Sequence, residues 1–179
     1  METKKVYFAG GCFWCVEHDL KEARGVEDVV SGYMGQPGNP TYMDHEGYRE
    51  VVEVLYDNDA TNFKKLAQYF LDHIDPTDQG GQFHDRGESY KSAIYYMDEE
   101  ERKIAEALLA ELDDSHIYDK PVFVDILKSD SFYKAEEFHQ NYAEKNPVQY
   151  VSYRKGSGRG DFTDKTCAIR EEKKILWKD

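Results

Sequence analysis

Two cysteines three residues apart open an apolar stretch, Gly10-Gly11-Cys12-Phe13-Trp14-Cys15-Val16-Glu17, and no other segment is better equipped for chemistry. The reactive form of cysteine is the thiolate, which the free N–H groups and dipole at a helix N-terminus favour. Cys12 falls where a strand ends and a helix begins, and the two glycines before it allow a tight turn that leaves the sulfur open. Cys12 is the expected nucleophile. Cys15 follows one helical turn later on nearly the same face, a spacing from which a dithiol closes into a disulfide.

Other roles compete for such a pair. Intracellular cysteines often pack as small hydrophobes. Zinc would need two further ligands, and His18, His45, His73, His84, His116 and His139 offer no second pair at ligand spacing. General thiol-disulfide exchange through Cys12 and Cys15 is the alternative function. Against it, Phe13 and Trp14 put a large aromatic surface beside the sulfur, which suits a small apolar group better than varied disulfides. With Cys167 the cysteines number 3, too few and too odd for the disulfide framework of a secreted domain.

The elements that must hold this turn can be read from periodicity. Lys4 to Phe8 reads as a strand, and Phe13, Val16, Leu20 and Ala23 mark a helix that stops at Gly25. Val26 to Tyr33 and Arg49 to Tyr56 are strands on either side of a Gly- and Pro-rich loop at 35–40. Thr61 is placed to cap a helix carrying Phe63, Leu66, Phe70 and Ile74, and Asp98 another carrying Ile104, Leu108 and Leu112. Ser89 to Tyr96 and Pro121 to Leu127 add strands. The fold class is α+β, a mixed sheet covered by helices, in a single domain over 1–179. After Asn146-Pro147 the chain is polar and without sustained period, so residues beyond about 150 are expected to wrap the domain as an extended tail.

The net charge of -13 disfavours nucleic acid, whose binders need clustered Lys and Arg. No apolar run approaches the roughly 20 residues that span a bilayer. The start Met1-Glu2-Thr3-Lys4-Lys5 leads into a strand rather than a signal-peptide core, so the expectation is a cytoplasmic protein without a membrane partner.

The Gly-Cys-Phe-Trp segment resembles the signature of the A-type peptide methionine sulfoxide reductases. The resemblance continues through Ser31-Gly32-Tyr33, Asn39-Pro40-Thr41-Tyr42, Glu50 to Val54, Asp75-Pro76-Thr77, Ser89 to Tyr96 and His139-Gln140-Asn141-Tyr142, and covers roughly 5–160. It implies a ferredoxin-like two-layer sandwich that reduces the S epimer of methionine sulfoxide in proteins and peptides. By the same resemblance Cys12 is the nucleophile, Glu50 the catalytic acid, and Tyr33 and Tyr90 the hydroxyls that hold the sulfoxide oxygen. Phe13 and Trp14 form the methyl pocket, and Asp85 helps bind the substrate backbone.

The chemistry explains such a set, because thiolate attack on sulfur pushes electrons onto oxygen, which then needs a proton or strong hydrogen bonds. Glu50 begins a strand in which Val52, Val54 and Tyr56 share its face, so apolar company would raise its pKa. Cys12 would be left as a sulfenic acid, which condenses with a second thiol. Many relatives carry that thiol in the C-terminal tail, where this chain has Val151 and Ser157, so Cys15 or Cys167 must resolve it. The resemblance also implies thioredoxin as external reductant and no metal or organic cofactor.

Overall fold

In the computed structural model, which describes residues 2–173, the chain forms one six-stranded sheet with helices packed on it. Met1 and the last six residues of the domain assigned to 1–179 lie outside the described residues. The elements run β1 (Thr3–Ala9), α1 (Phe13–Lys21), β2 (Val26–Gly35), β3 (Tyr48–Asp57) and α2 (Phe63–Asp72). A small hairpin, β4 (Gly81–Gln82) and β5 (Asp85–Arg86), precedes β6 (Ala93–Tyr96), α3 (Glu99–Asp114), β7 (Asp125–Lys128) and β8 (Ser131–Lys134). Three helices end the described chain: α4 (Tyr142–Lys145), α5 (Pro147–Ser157) and α6 (Arg159–Lys173). Among the described residues no helix is long and apolar enough to cross a membrane.

The sheet order is β7-β6-β1-β3-β2-β8, antiparallel except for the β6–β7 pair. Its four central strands, with α1 linking β1 to β2 and α2 linking β3 to β6, make the expected ferredoxin-like two-layer unit. The period of two along a strand sets the core. Val6, Phe8, Val52, Val54 and Tyr56 turn to the helices, where Phe13, Leu20, Leu66, Phe70 and Leu108 meet them. Tyr7, Ala9, Val51, Ala93 and Tyr95 form a smaller cluster on the other face. Phe8 and Phe70 stack at 4.7 Å, which locks α2 over β1.

Several boundaries differ from the sequence reading. Asn62 rather than Thr61 caps α2, accepting from the Lys65 N–H at 3.0 Å, because an extended residue one position nearer the first turn has the right reach. Glu88 to Tyr90 is a 3-10 turn, so the strand expected from Ser89 begins only at Ala93, and β8 was not anticipated. The extended tail is corrected outright: residues 147–157 and 159–173 are helical. Pro147 in the first turn and Gly158 at φ +81 after the last turn are the start and stop signals of α5. Its buried face is made of Tyr150 and Ser157 beside Tyr153 and Arg154, which a search for aliphatic periodicity passes over.

One buried amide ties this C-terminal region to the sheet. Gln140 Oε1 accepts from the Ser31 N–H at 3.0 Å, and its Nε2 donates to the carbonyls of Ser31 at 2.9 Å and Ala135 at 3.0 Å. Buried Glu17 on α1 completes the joint, accepting from Ser31 Oγ at 2.8 Å and from the Asn141 N–H at 2.8 Å. Substituting Gln140→Leu strands these backbone groups in the core. Urea denaturation should show a loss of about 2–3 kcal/mol, the range for buried polar groups left unpaired. A change below about 0.5 kcal/mol, ordinary for a surface substitution, would show that the amide is not what secures the segment.

Candidate active site

The site begins at the turn between β1 and α1. Gly11 has φ +82, and a Cβ there would lie 2.5 Å from Gln82 Cβ, so a larger residue would be strained and crowded at once. Gln82 is immobilised in turn by the Asp75 backbone, accepting from its N–H at 2.9 Å and donating to its carbonyl at 2.6 Å. Cys12 then occupies the N-cap position of α1, its carbonyl accepting from the N–H groups of Cys15 at 3.1 Å and Val16 at 3.4 Å. The next N–H, that of Phe13, points away from the helix and donates to Glu50 Oε2 at 3.0 Å. A carboxyl group therefore closes the helix start beside the sulfur.

Glu50 is 2% exposed and faces the helices as the strand alternation requires. Burial pushes its pKa up to about 8 despite the Phe13 N–H. The negative charges of Asp85 and Cys15 add to the rise, and the Tyr90 hydroxyl, a donor to the carboxyl, opposes it. At neutral pH the group holds its proton.

Aromatic side chains wall the sulfur. Trp14 stacks on Tyr142 at 3.8 Å and 7°, and its Nε1–H donates to His139 Nδ1 at 3.0 Å. Tyr153 of α5 stands edge-on to Trp14 at 6.0 Å, and its hydroxyl donates to Asp85 on β5. Phe13, 1% exposed, lies below this wall between Tyr33 and His139.

The structure separates the two tyrosines singled out by sequence. Tyr90 remains at the site, its hydroxyl pushed up by burial and by the charges of Glu50, Asp85 and Cys12. Tyr33 is fully buried, pairs with Glu50 across the β2–β3 ladder, and donates its hydroxyl to Glu136 Oε1 at 3.1 Å. Tyr42 takes the open position: it is 39% exposed, and burial together with the charges of Glu50, Cys12 and Asp85 raises its pKa. Its backbone N–H binds the other Glu136 oxygen at 3.0 Å. Glu136 thus engages the Tyr33 hydroxyl with one oxygen and the Tyr42 backbone with the other.

The two thiols share their protons unequally. Burial drives the Cys12 thiol well above its ordinary value, reinforced by Cys15 and Glu50 and opposed by the Tyr153 hydroxyl. Cys15 accepts from the Cys12 thiol and is thereby lowered to about 7, helped by the guanidinium groups of Arg159 and Arg154. The expected helix start is present at Cys12, yet burial raises that thiol, while the neighbouring thiol and two guanidinium groups favour the anion at Cys15.

The family model for peptide methionine sulfoxide reductase matches residues 4–171. This chain belongs to the peptide methionine sulfoxide reductase family. Peptide methionine sulfoxide reductase MsrA of Bacillus velezensis is 49% identical over 162 residues, covering 88% of this chain and 92% of that protein. The fold is similar to methionine sulfoxide reductase A of Corynebacterium diphtheriae, with TM-score 0.71 and 30% identity over 82% of this chain and 76% of that one. Mxr1 from Saccharomyces cerevisiae in complex with Trx2 shares the fold at TM-score 0.57 and 22% identity, covering 79% of this chain and 86% of that chain.

Within this reductase, Cys167 is not on an extended tail. It sits mid-way along α6, two turns and about 12 Å beyond Arg159. The charge of Cys167 acts on Tyr69 and Tyr118, and Arg170 pairs with Asp72 of α2. Carrying Cys167 to Cys12 would mean detaching that helix, whereas Cys15 is already in place. Tyr42 and Tyr153 are the site residues that sequence reasoning passed over. The Asn39-Pro40-Thr41-Tyr42 turn was itself a signal for the first, while nothing local marked the second.

The Glu50 proton has a measurable consequence for stability. The unfolded chain releases it in the ordinary carboxylate range near 4.5, while the folded chain keeps it to about 8. Across that window the unfolded state binds fewer protons, so rising pH disfavours folding. Wild type should lose stability relative to Glu50→Gln from pH 4.5 up to about 8, with no further divergence above. Urea denaturation below, within and above the window checks this, and parallel pH curves for the two proteins would contradict it.

Proposed function

We propose that the chain reduces the S epimer of methionine sulfoxide in proteins and peptides, with Cys12 as nucleophile and Glu50 as acid. The observation that carries this reading is the buried Glu50 carboxyl, its pKa pushed up by burial, anchored on the N–H of the residue after Cys12. A sulfoxide oxygen leaving its sulfur needs a proton at that place. Tyr42 and Tyr90 supply the hydroxyls that hold the oxygen, with Tyr42 in the role that sequence gave to Tyr33. Trp14 forms the wall for the methyl group, Phe13 backs it from below, and Asp85, oriented by Tyr153, meets the substrate backbone.

The step balances without an added reagent. As substrate binds, the Cys12 sulfur forms a bond to the sulfoxide sulfur while the S–O electrons move onto oxygen. Glu50 lends that oxygen a proton, and the thiol proton of Cys12 replaces it. The hydroxide so released bonds to the Cys12 sulfur as the S–S bond to the substrate breaks with its electron pair on methionine, which departs and leaves Cys12 two electrons more oxidised, as sulfenic acid. Cys15 then displaces the oxygen as water and forms the disulfide. Thioredoxin is the external dithiol that returns both thiols, in line with the Mxr1–Trx2 complex of a fold neighbour. The epimer preference rests on the family, since the two epimers are handled by separate enzymes. General disulfide exchange is the less favoured reading, because family membership and the buried acid both point to an oxygen-bearing substrate.

A single-turnover assay on fully reduced protein tests the roles. About one methionine per chain should form from the S epimer and none in Cys12→Ser. Glu50→Gln should slow the step about a hundredfold or more, the usual worth of a placed acid. Tyr42→Phe should cost more than Tyr33→Phe, and the wild-type rate should fall as pH passes about 8 and Glu50 loses its proton. Methionine from neither epimer would end the sulfoxide reading; equal tyrosine effects would return Tyr33 to the site.

A further inference from the structure

The segment Arg154-Lys155-Gly156-Ser157-Gly158-Arg159 is unexplained by sulfoxide chemistry, yet it plugs the back of the cysteine turn. Arg159 is 1% exposed, an unusual state for a guanidinium. Its Nη2 donates to the Gly10 carbonyl at 2.6 Å and its Nη1 to the His73 carbonyl at 3.2 Å, and its head lies 5.0 Å over the Phe83 ring. Among the described residues no carboxylate pairs with it. A buried cation without an anion is expensive, and the anionic group that feels this one is the sulfur of Cys15, itself fully buried. Arg154, near the end of α5, acts on the same sulfur while pairing with Asp19 at 3.0 Å.

We propose that Arg159 is a positioning residue for the resolving step, its buried guanidinium holding the Cys15 sulfur as the anion that attacks oxidised Cys12. The proposal rests on Cys12 being the residue oxidised. The Cys15 sulfur forms the S–S bond, the Cys12 S–O bond breaks, and the departing hydroxide takes the Glu50 proton and leaves as water. When an external dithiol attacks the more accessible Cys12, Cys15 departs as the anion that Arg159 already accommodates, which directs the mixed disulfide to Cys12. The dithiol supplies two protons, one to Cys12 and one to Glu50, and the resting charges are restored.

Other groups also face Cys15. Cys12 and Asp19 do so from its own helix, Glu50 from β3, and Tyr150 and Tyr153 from α5. On the α2 side the His73 ring is turned onto the Tyr69 carbonyl at 2.6 Å, so its backbone rather than its ring serves the site. Of these, Asp19, Glu50 and the tyrosines disfavour an anion at Cys15 or leave it unneutralised. The two arginines are the cations.

Two measurements separate this from a merely structural role. In single turnover with methionine-S-sulfoxide, Arg159→Met should still form methionine, but thiol loss should lag it at neutral pH by at least about tenfold, the effect of one pKa unit. A dimedone adduct should then accumulate on Cys12. The lag should shorten as pH rises, and Arg159→Lys should largely remove it. Thiolate ultraviolet absorbance against pH, read with Arg159 intact, covers the case in which the variant misfolds. The near-neutral thiolate should persist in Cys12→Ser, whose hydroxyl still donates, and vanish in Cys15→Ser. The proposal is overturned if methionine formation and thiol loss stay concurrent in a folded Arg159→Met, or if the near-neutral thiolate follows Cys12. Absence of methionine in wild type would count against the nucleophile assignment instead, and the absorbance titration would still report which cysteine carries the anion.

Discussion

A carboxyl group sealed from water must find donors or keep its proton, and Glu50 does both. Its bond to the Phe13 N–H uses a donor that every helix leaves free at its start. That bond sets α1 against the first residues of β3 and thereby fixes the distance between an acid and the sulfur of Cys12. Much of the surrounding architecture serves it. Alternation along β3 turns Glu50 under the helix, the ladder sets Tyr33 opposite it, and Gly11 at φ +82 makes the sharp approach that presents Cys12. Apolar packing beneath the sheet–helix interface keeps water out and the proton on.

The C-terminal helices complete the site rather than decorate it. Tyr153 couples Asp85 to the cysteines, Trp14 is clamped between Tyr142 and His139, and Arg159 reaches back to the carbonyl of Gly10. The hinge of this arrangement is Gln140, whose amide substitutes for a strand partner at Ser31. Arg154 of α5 and Arg159 of α6, far beyond Cys15 in sequence, therefore act on the electrostatics of the second thiol. The two cysteines differ because their surroundings differ: Cys12 sees an acid and a tyrosine, Cys15 sees two guanidinium groups.

The strands and helices that build the sheet were legible because their apolar periods are regular. Val52, Val54 and Tyr56 announce the face that Glu50 shares, and Phe63, Leu66 and Phe70 announce α2. The Cys12 turn was legible from glycine and helix-start chemistry. The tail was misread because α5 buries tyrosines, an arginine and a serine, so its inward face carries no aliphatic signature, although Pro147 and Gly158 bracket it. Tyr33 was singled out by the family resemblance alone, since strand position says which face a ring occupies and not which carboxylate claims its hydroxyl. The structure shows that Glu136 is the acceptor for Tyr33. The proton distribution between Cys12 and Cys15 was likewise beyond local reading, since it depends on cations far along the chain.

Infrared difference spectroscopy across pH tests the central claim most directly, with the carboxyl carbonyl band assigned by its loss in Glu50→Gln. A protonated Glu50 band present at neutral pH and fading around pH 8 is the expected result. A Glu50 that is already carboxylate at neutral pH would contradict the account, because no proton would then await the sulfoxide oxygen beside Cys12.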